Sequence, residues 1–100
     1  MNFLEKHQDE TIRAIGKITR DNYFSIISVK KIRDVYEIDS ENNSKISFYW
    51  RCLENLEQQG VIKRIGTQLP KKYRVQNYFD FFEKLYHSYV DRRVMAVGNH

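Results

Sequence analysis

The sequence is poor in cysteine, proline and glycine, and each shortage excludes a class of protein. Its 100 residues include one cysteine, one proline and four glycines. The single Cys52 cannot form an intramolecular disulfide, and a cysteine-rich zinc site is excluded as well. Scarce glycine and proline favour long helices over a sandwich of many short strands. The composition therefore predicts a helix-rich fold without disulfides.

Long hydrophobic runs are also missing. No stretch approaches the roughly 18 apolar residues of a membrane span, and residues 1–6 do not combine a basic region with an apolar run. We therefore expect no secretory signal and a cytoplasmic protein. A hydrophobic content of 41% is nevertheless too high for a disordered chain, and the length suits one domain over residues 1–100.

Side chains for catalysis or metal binding are not grouped along the chain. His7, His87 and His100 lie in separate regions without the spacing of metal ligands, and the isolated glycines form no phosphate-binding loop. Four acidic residues are interpreted as charge on helix surfaces: Asp9, Glu10, Glu54 and Glu57. We expect no enzyme, no metal site and no cofactor.

Apolar residues recur at helical spacing over most of the chain. They predict helices over about residues 2–19, from residue 29 behind an N-cap at Ser28, over about 45–59 and over about 77–96. Gly60 stands where a helix C-cap glycine belongs. The inner stripe of the third helix consists of Ile46, Tyr49, Leu53 and Leu56.

Short apolar runs between these segments predict three strands. They cover residues 23–27, 61–65 and 71–75, and a turn at 66–70 joins the last two into a hairpin. Residues 39–44 are a polar loop. The predicted order is α-β-α-α-β-β-α, a mostly α protein with a small β-hairpin and a long C-terminal helix.

Two stretches of the sequence carry a family resemblance. Residues 28–38 read SVKKIRDVYEI, and residues 53–64 read LENLEQQGVIKR, with a leucine four residues before a glycine and an apolar pair after it. Together with a hairpin at 66–75, they resemble the winged helix-turn-helix DNA-binding domains over about residues 3–75. The polar loop before the third helix is longer than the usual turn of that family. The resemblance implies a recognition helix in the major groove and a wing along the backbone.

The positive charge is concentrated in the segment that the resemblance assigns to the recognition helix and wing. Residues 45–75 carry seven basic and two acidic side chains, or +5, whereas residues 1–44 carry −1 and residues 76–100 carry 0. A basic surface attracts polyanions. We therefore expect double-stranded DNA as the partner and no membrane.

The start of the third helix holds the candidate base-reading residues. Arg51 suits a guanine edge, Ser47 a base or phosphate, and Phe48 a thymine methyl group, with Lys45 beside them. In the alternative interpretation the aromatic residues here are core and the cations are merely solvated. For Trp50 we favour the core.

Other basic residues are candidates for phosphate contacts. Strand alternation puts Lys72 and Arg74 on one face of the hairpin. The full set is Lys63, Arg64, Lys71, Lys72 and Arg74 of the hairpin, with Lys30 and Lys31 of the second helix. The alternative is that these side chains only keep the surface soluble.

The last helix has aromatic residues on more than one face, which favours two packing partners. One partner is the first helix, and we expect the other to be the same helix of a second subunit. The candidate interface residues are Tyr78, Phe81, Phe82, Leu85 and Tyr89. A homodimer would present two recognition helices about 34 Å apart. The alternative is a larger core within one chain.

Three functions agree with these observations. The first is a dimeric, sequence-specific DNA-binding regulator of transcription, such as a repressor. The second is a plasmid or phage segregation adaptor that coats repeated DNA sites. The third is a winged helix used for protein–protein contact through its aromatic helix.

Overall fold

The computed structural model describes the backbone of residues 3–98 and the side chains of residues 7–90. This part of the chain folds into four helices and one two-stranded antiparallel sheet, which confirms a mostly helical fold with a small hairpin. The elements are α1 (Phe3–Thr19), α2 (Val29–Tyr36), α3 (Asn43–Gln58), β1 (Ile62–Ile65), β2 (Lys72–Val75) and α4 (Tyr78–Gly98). The ends of the predicted domain, residues 1, 2, 99 and 100, lie outside the described residues.

Helices α1, α2 and α3 pack against one another through the apolar positions that the helical spacing predicts. Each fully buried aliphatic side chain contributes about 1.5–3 kcal/mol relative to an exposed one. The residues at the centre are Ile12, Ile15, Ile32, Leu53 and Leu56, all at most 3% exposed.

Side-chain caps fix where α2 and α3 begin. Ser28 Oγ accepts a hydrogen bond from the backbone N–H of Lys31 at 3.2 Å, which confirms the predicted N-cap of α2. Asn42 caps α3, because its Oδ1 accepts from the backbone N–H of Lys45 at 3.2 Å. The helix therefore begins at Asn43 rather than at residue 45, and the loop between α2 and α3 covers residues 37–42 instead of 39–44.

The chain leaves α3 through a left-handed turn at Gly60. Its backbone φ is +77°, a conformation that costs a residue with a Cβ about 1–2 kcal/mol. The N–H of Gly60 donates to the carbonyl oxygen of Glu57, and the N–H of Val61 donates to that of Leu56, each at 3.0 Å. These two bonds form the Schellman pattern, so the predicted C-cap glycine is confirmed.

The segment before α2 is not the strand that the sequence predicts over residues 23–27. The N–H of Ser25 donates to the carbonyl oxygen of Asn22 at 3.0 Å, which turns the chain. Only Ile27 reaches the sheet. It exchanges two backbone hydrogen bonds with Tyr73 of β2, at 2.8 and 2.9 Å, as an isolated antiparallel bridge.

Helix α4 packs along α1 and covers the core on that side. A Cβ added to Gly16 would lie 3.1 Å from Leu85 Cδ1, so this glycine lets the two helices approach closely. Phe81 is 1% exposed and belongs to the core. The sequence assigned Phe81 and Leu85 to a subunit interface. In this chain Phe81 is buried in the core and so does not reach a second subunit, and Leu85 is partly buried against Gly16 of α1.

Candidate nucleic-acid interface

Three cations lie on the outer face of the hairpin. The register pairs Lys63 with Arg74 and Ile65 with Lys72, and directly paired residues point to the same face of an antiparallel sheet. The opposite face carries Tyr73, which is fully buried. Alternation predicted that Lys72 and Arg74 share a face, and the register adds Lys63 to them.

Two of the predicted cations are held against the segment that precedes α2. Arg74 Nε donates to the carbonyl oxygen of Phe24 at 3.0 Å, and Lys31 Nζ donates to that of Ile26 at 2.8 Å. A guanidinium has five donors and an ammonium three, so both groups keep donors for an anion. Lys30 beside them is exposed. We call the following set the basic strip: Lys30, Lys31, Lys63, Lys72 and Arg74.

Arg64 and Lys71, two further candidates, contact other parts of the chain. Arg64 Nη2 donates to the carbonyl oxygens of Thr67 and Gln68, at 3.2 and 3.5 Å, so this side chain braces the loop of the hairpin. Lys71 Nζ lies 3.8 Å from Glu54 Oε1 of α3. The Lys71–Glu54 pair therefore places the hairpin beside the outer face of α3.

The outer face of α3 is polar. Ser47 and Arg51 are exposed there, as predicted. Residues three or four apart on a helix share a face, and this relation adds the exposed Glu54, Asn55 and Gln58. These last three are not among the residues predicted from the sequence to contact DNA. Their spacing from Arg51 could have identified them, because it places them on the same face of the helix. Serine, asparagine and glutamine can all hydrogen-bond to base edges.

Phe48 packs against α1 instead of projecting outward. Its ring stacks on His7 with 4.3 Å between centroids and 20° between planes, and the guanidinium carbon of Arg51 lies 5.8 Å from its centroid. This placement does not fit the predicted contact with a thymine methyl group. Trp50 is half-buried and packs against the core, as favoured from the sequence.

Lys45 forms an ion pair inside the protein. Its Nζ lies 2.8 and 3.1 Å from the two carboxylate oxygens of Glu10 on α1. The Tyr49 hydroxyl donates to the same carboxylate at 3.1 Å, and the Tyr36 hydroxyl donates to the backbone carbonyl of Glu10 at 2.7 Å. Lys45 was predicted to contact DNA and Glu10 to be surface charge. The structure instead joins them as a link between α1 and α3.

The electrostatics of this link follow from its hydrogen bonds. Burial alone would raise the pKa of Glu10, but the hydrogen bond and charge of Lys45, with the Tyr49 hydroxyl, bring that pKa below its ordinary value of 4.5. Burial and the nearby Glu10 charge raise the pKa of Tyr36 to about 12 and that of Tyr49 still further. Both tyrosines therefore keep their donor protons at neutral pH.

A cleft between α1 and α4 carries mainly the opposite charge. Its volume is about 490 Å³, and its walls include Asp9, Asp80 and Glu83 with Lys84 and His87. Three carboxylates against one lysine disfavour a phosphate backbone at this place. Of the two surfaces, the basic strip is therefore the one that suits a phosphate backbone.

No described helix is both long enough and apolar enough to cross a membrane. Among the described residues, no three side chains of His, Cys, Asp or Glu are grouped so that they could hold a metal ion.

Comparison with known proteins finds no relative. No protein-family model, no curated protein and no solved structure matches this chain.

Proposed function

We propose that this protein is a winged-helix protein that binds double-stranded DNA in a sequence-specific manner and regulates transcription. Helix α3 enters the major groove, and the hairpin lies along the phosphate backbone as the wing. The observation that carries the proposal is the common outer face of Lys63, Lys72 and Arg74 in the hairpin register.

The arrangement of the elements supports the winged-helix assignment. Three helices pack together, a hairpin follows the third, and Ile27 adds a short edge to that hairpin through Tyr73. The observed order is α-α-α-β-β-α, and the isolated bridge at Ile27 stands where the first strand was predicted.

The chemistry of the two surfaces supports different roles for them. The basic strip supplies cations for phosphates, and such contacts add salt-sensitive affinity without choosing a sequence. The outer face of α3 offers Arg51 together with Ser47, Asn55 and Gln58, whose donors and acceptors suit base edges. The Lys71–Glu54 pair keeps the two surfaces adjacent.

The test begins with selection of bound duplexes from a random pool, which supplies a specific site. Binding of single variants is then measured on this site and on random duplex DNA. We expect Arg51→Ala to weaken binding to the specific site about 5- to 150-fold, as for the loss of one base contact of about 1–3 kcal/mol. Lys72→Ala should weaken binding to both duplexes about equally and reduce the salt slope by about one.

Lys84→Ala is the matched control, because it removes the same charge from the acidic cleft. Its affinity for either duplex should change less than about twofold. The two roles would be contradicted if Arg51→Ala, like Lys72→Ala, weakened binding to the specific and the random duplex equally. Absence of salt-sensitive binding to any duplex would refute DNA binding itself.

A further inference from the structure

Helix α4 has a stripe of exposed aromatic side chains that the core does not use. Phe79, Phe82, Tyr86 and Tyr89 are 76%, 42%, 59% and 49% exposed. They are spaced three, four and three residues apart, so they lie along one side of the helix. The buried Phe81 lies on a different side, towards α1. We call these four residues the aromatic stripe.

Neighbouring groups hold two of the four rings of the stripe in place, one towards each end. Tyr23 packs edge-to-face on Phe82, with 5.5 Å between ring centroids, and is itself half-exposed. At the other end the guanidinium of Arg13 lies 4.6 Å from the centroid of Tyr89, and it donates to the carbonyl oxygen of Ser88. Because these rings are already ordered, covering them loses less side-chain entropy than ordering free side chains would.

The exposed area of this patch can be compared with the area that a dimer interface needs. At about 200 Å² per aromatic side chain, the stripe and Tyr23 together leave about 550 Å² open. Specific interfaces begin at roughly 600 Å² per partner, and aromatic residues are enriched at their centres. The patch therefore approaches the size that a small dimer interface needs before any flanking residue is counted.

We propose that the aromatic stripe is the self-association surface of this protein, and that its occupant is the aromatic stripe of a second copy. The three-four-three spacing is that of a helix-to-helix seam, in which side chains of one helix fill gaps on another. The four side chains of the stripe are uncharged, and their spacing is the same read from either end, so a two-fold arrangement brings rings against rings. A two-fold axis through the middle of the stripe would place it against the stripe of the second copy. Such an interface uses the same patch on both subunits and therefore stops at a dimer.

This surface differs from the interface that the sequence suggested. Phe79 and Tyr86 are added to it, whereas Phe81 is buried and Tyr78 and Leu85 are partly buried against the core of the same chain. Phe82 and Tyr89 are common to both. The proposal does not depend on DNA binding, since the stripe is an apolar surface of α4 and shares no residue with the basic strip.

The test is the mass of the full chain in solution, measured by light scattering after gel filtration and by sedimentation over a range of concentrations. We expect the unaltered protein to be a dimer at about 100 µM and to dissociate on dilution. The double variant Phe79→Ala/Tyr86→Ala should raise the dissociation constant at least about 30-fold, as for the loss of one strong interface residue. Its circular dichroism and melting should stay near those of the unaltered protein, because both rings are mostly exposed.

Leu69→Ala is the matched control, since Leu69 is 78% exposed but lies in the hairpin loop, away from α4. It should leave the dissociation constant unchanged. A monomer at about 100 µM would overturn the proposal. So would a dissociation constant that rises equally in Leu69→Ala and in the double variant. Monomers that bind lipid vesicles through the stripe would overturn it as well. All measurements are made without nucleic acid, so failure here leaves the DNA proposal intact.

Discussion

The link between Glu10 and Lys45 gives the most direct test of how α3 is held in place. Glu10→Gln removes the negative charge and little else, because glutamine has nearly the same shape and its amide oxygen can still accept from Tyr49. The variant therefore isolates the charge that attracts the Lys45 ammonium, 2.8 Å away.

The magnitude follows from the burial of the pair. The side chains of Lys45 and Glu10 are 28% and 26% exposed. Exposed ion pairs contribute about 0–1 kcal/mol, whereas removal of one partner from a fully buried pair costs about 3–5 kcal/mol. We expect an intermediate loss of about 2 kcal/mol in the free energy of unfolding. For a domain of this size the melting temperature should fall by about 8–16 °C.

The loss should depend on pH in a definite direction. The pKa of Glu10 in the folded protein lies below its ordinary value of 4.5. A lowered pKa contributes stability that is fully present above the pKa of the unfolded chain and disappears as the pH falls through the folded value. The difference between the unaltered protein and Glu10→Gln should therefore be constant near pH 7 and shrink below about pH 4.5.

Urea unfolding at several pH values measures this difference. Glu41→Gln is the control, because it makes the same chemical change on an exposed residue of the loop before α3, and it should cost less than about 0.5 kcal/mol. A double-mutant cycle with Lys45→Met should give a coupling of at least about 1 kcal/mol. A loss below about 0.5 kcal/mol for Glu10→Gln at pH 7, or one that stays constant as the pH falls, would refute this account.

Two further variants test the hairpin and the turn that leads to it. The Tyr73 hydroxyl is buried and has no hydrogen-bond partner, so Tyr73→Phe should leave the free energy of unfolding unchanged or raise it by up to about 1 kcal/mol. A loss above about 1 kcal/mol in urea unfolding would mean that this hydroxyl has a partner. Gly60→Ala forces a residue with a Cβ to φ +77°, and we expect it to cost about 1 kcal/mol by the same measurement. Unchanged stability would contradict the strain at this turn.

The helices could be predicted from sequence because their signals are local. The apolar spacing that defines α1 and α3 acts within one or two turns, and Ser28 and Gly60 act on backbone groups three to five residues away. The start of α3 was misjudged because two asparagines and a serine follow one another there. The choice of Asn42 as the cap depends on which backbone conformation the preceding loop allows.

The side-chain partners could not be predicted, because they join residues that are far apart in the sequence. Glu10 and Lys45 are 35 positions apart, and neither apolar spacing nor charge content indicates which lysine a given carboxylate meets. The same limit applies to α4. Its aromatic residues cover several sides, and only the position of α1 decides that Phe81 is buried while Phe79 is exposed.

These partners change the meaning of the +5 charge of residues 45–75. Lys45 is neutralised by Glu10, Lys71 lies near Glu54 and Arg64 braces the hairpin loop, so these three of the seven cations are engaged within the chain. The cations that remain on an open face of the hairpin are Lys63, Lys72 and Arg74. Helix α3 itself carries two basic and two acidic side chains, Lys45 and Arg51 with Glu54 and Glu57. A nearly neutral α3 attracts phosphates weakly, so in the proposed complex most of the affinity must come from the hairpin. The choice of sequence is then left to α3, where neutral hydrogen-bonding groups distinguish one base edge from another.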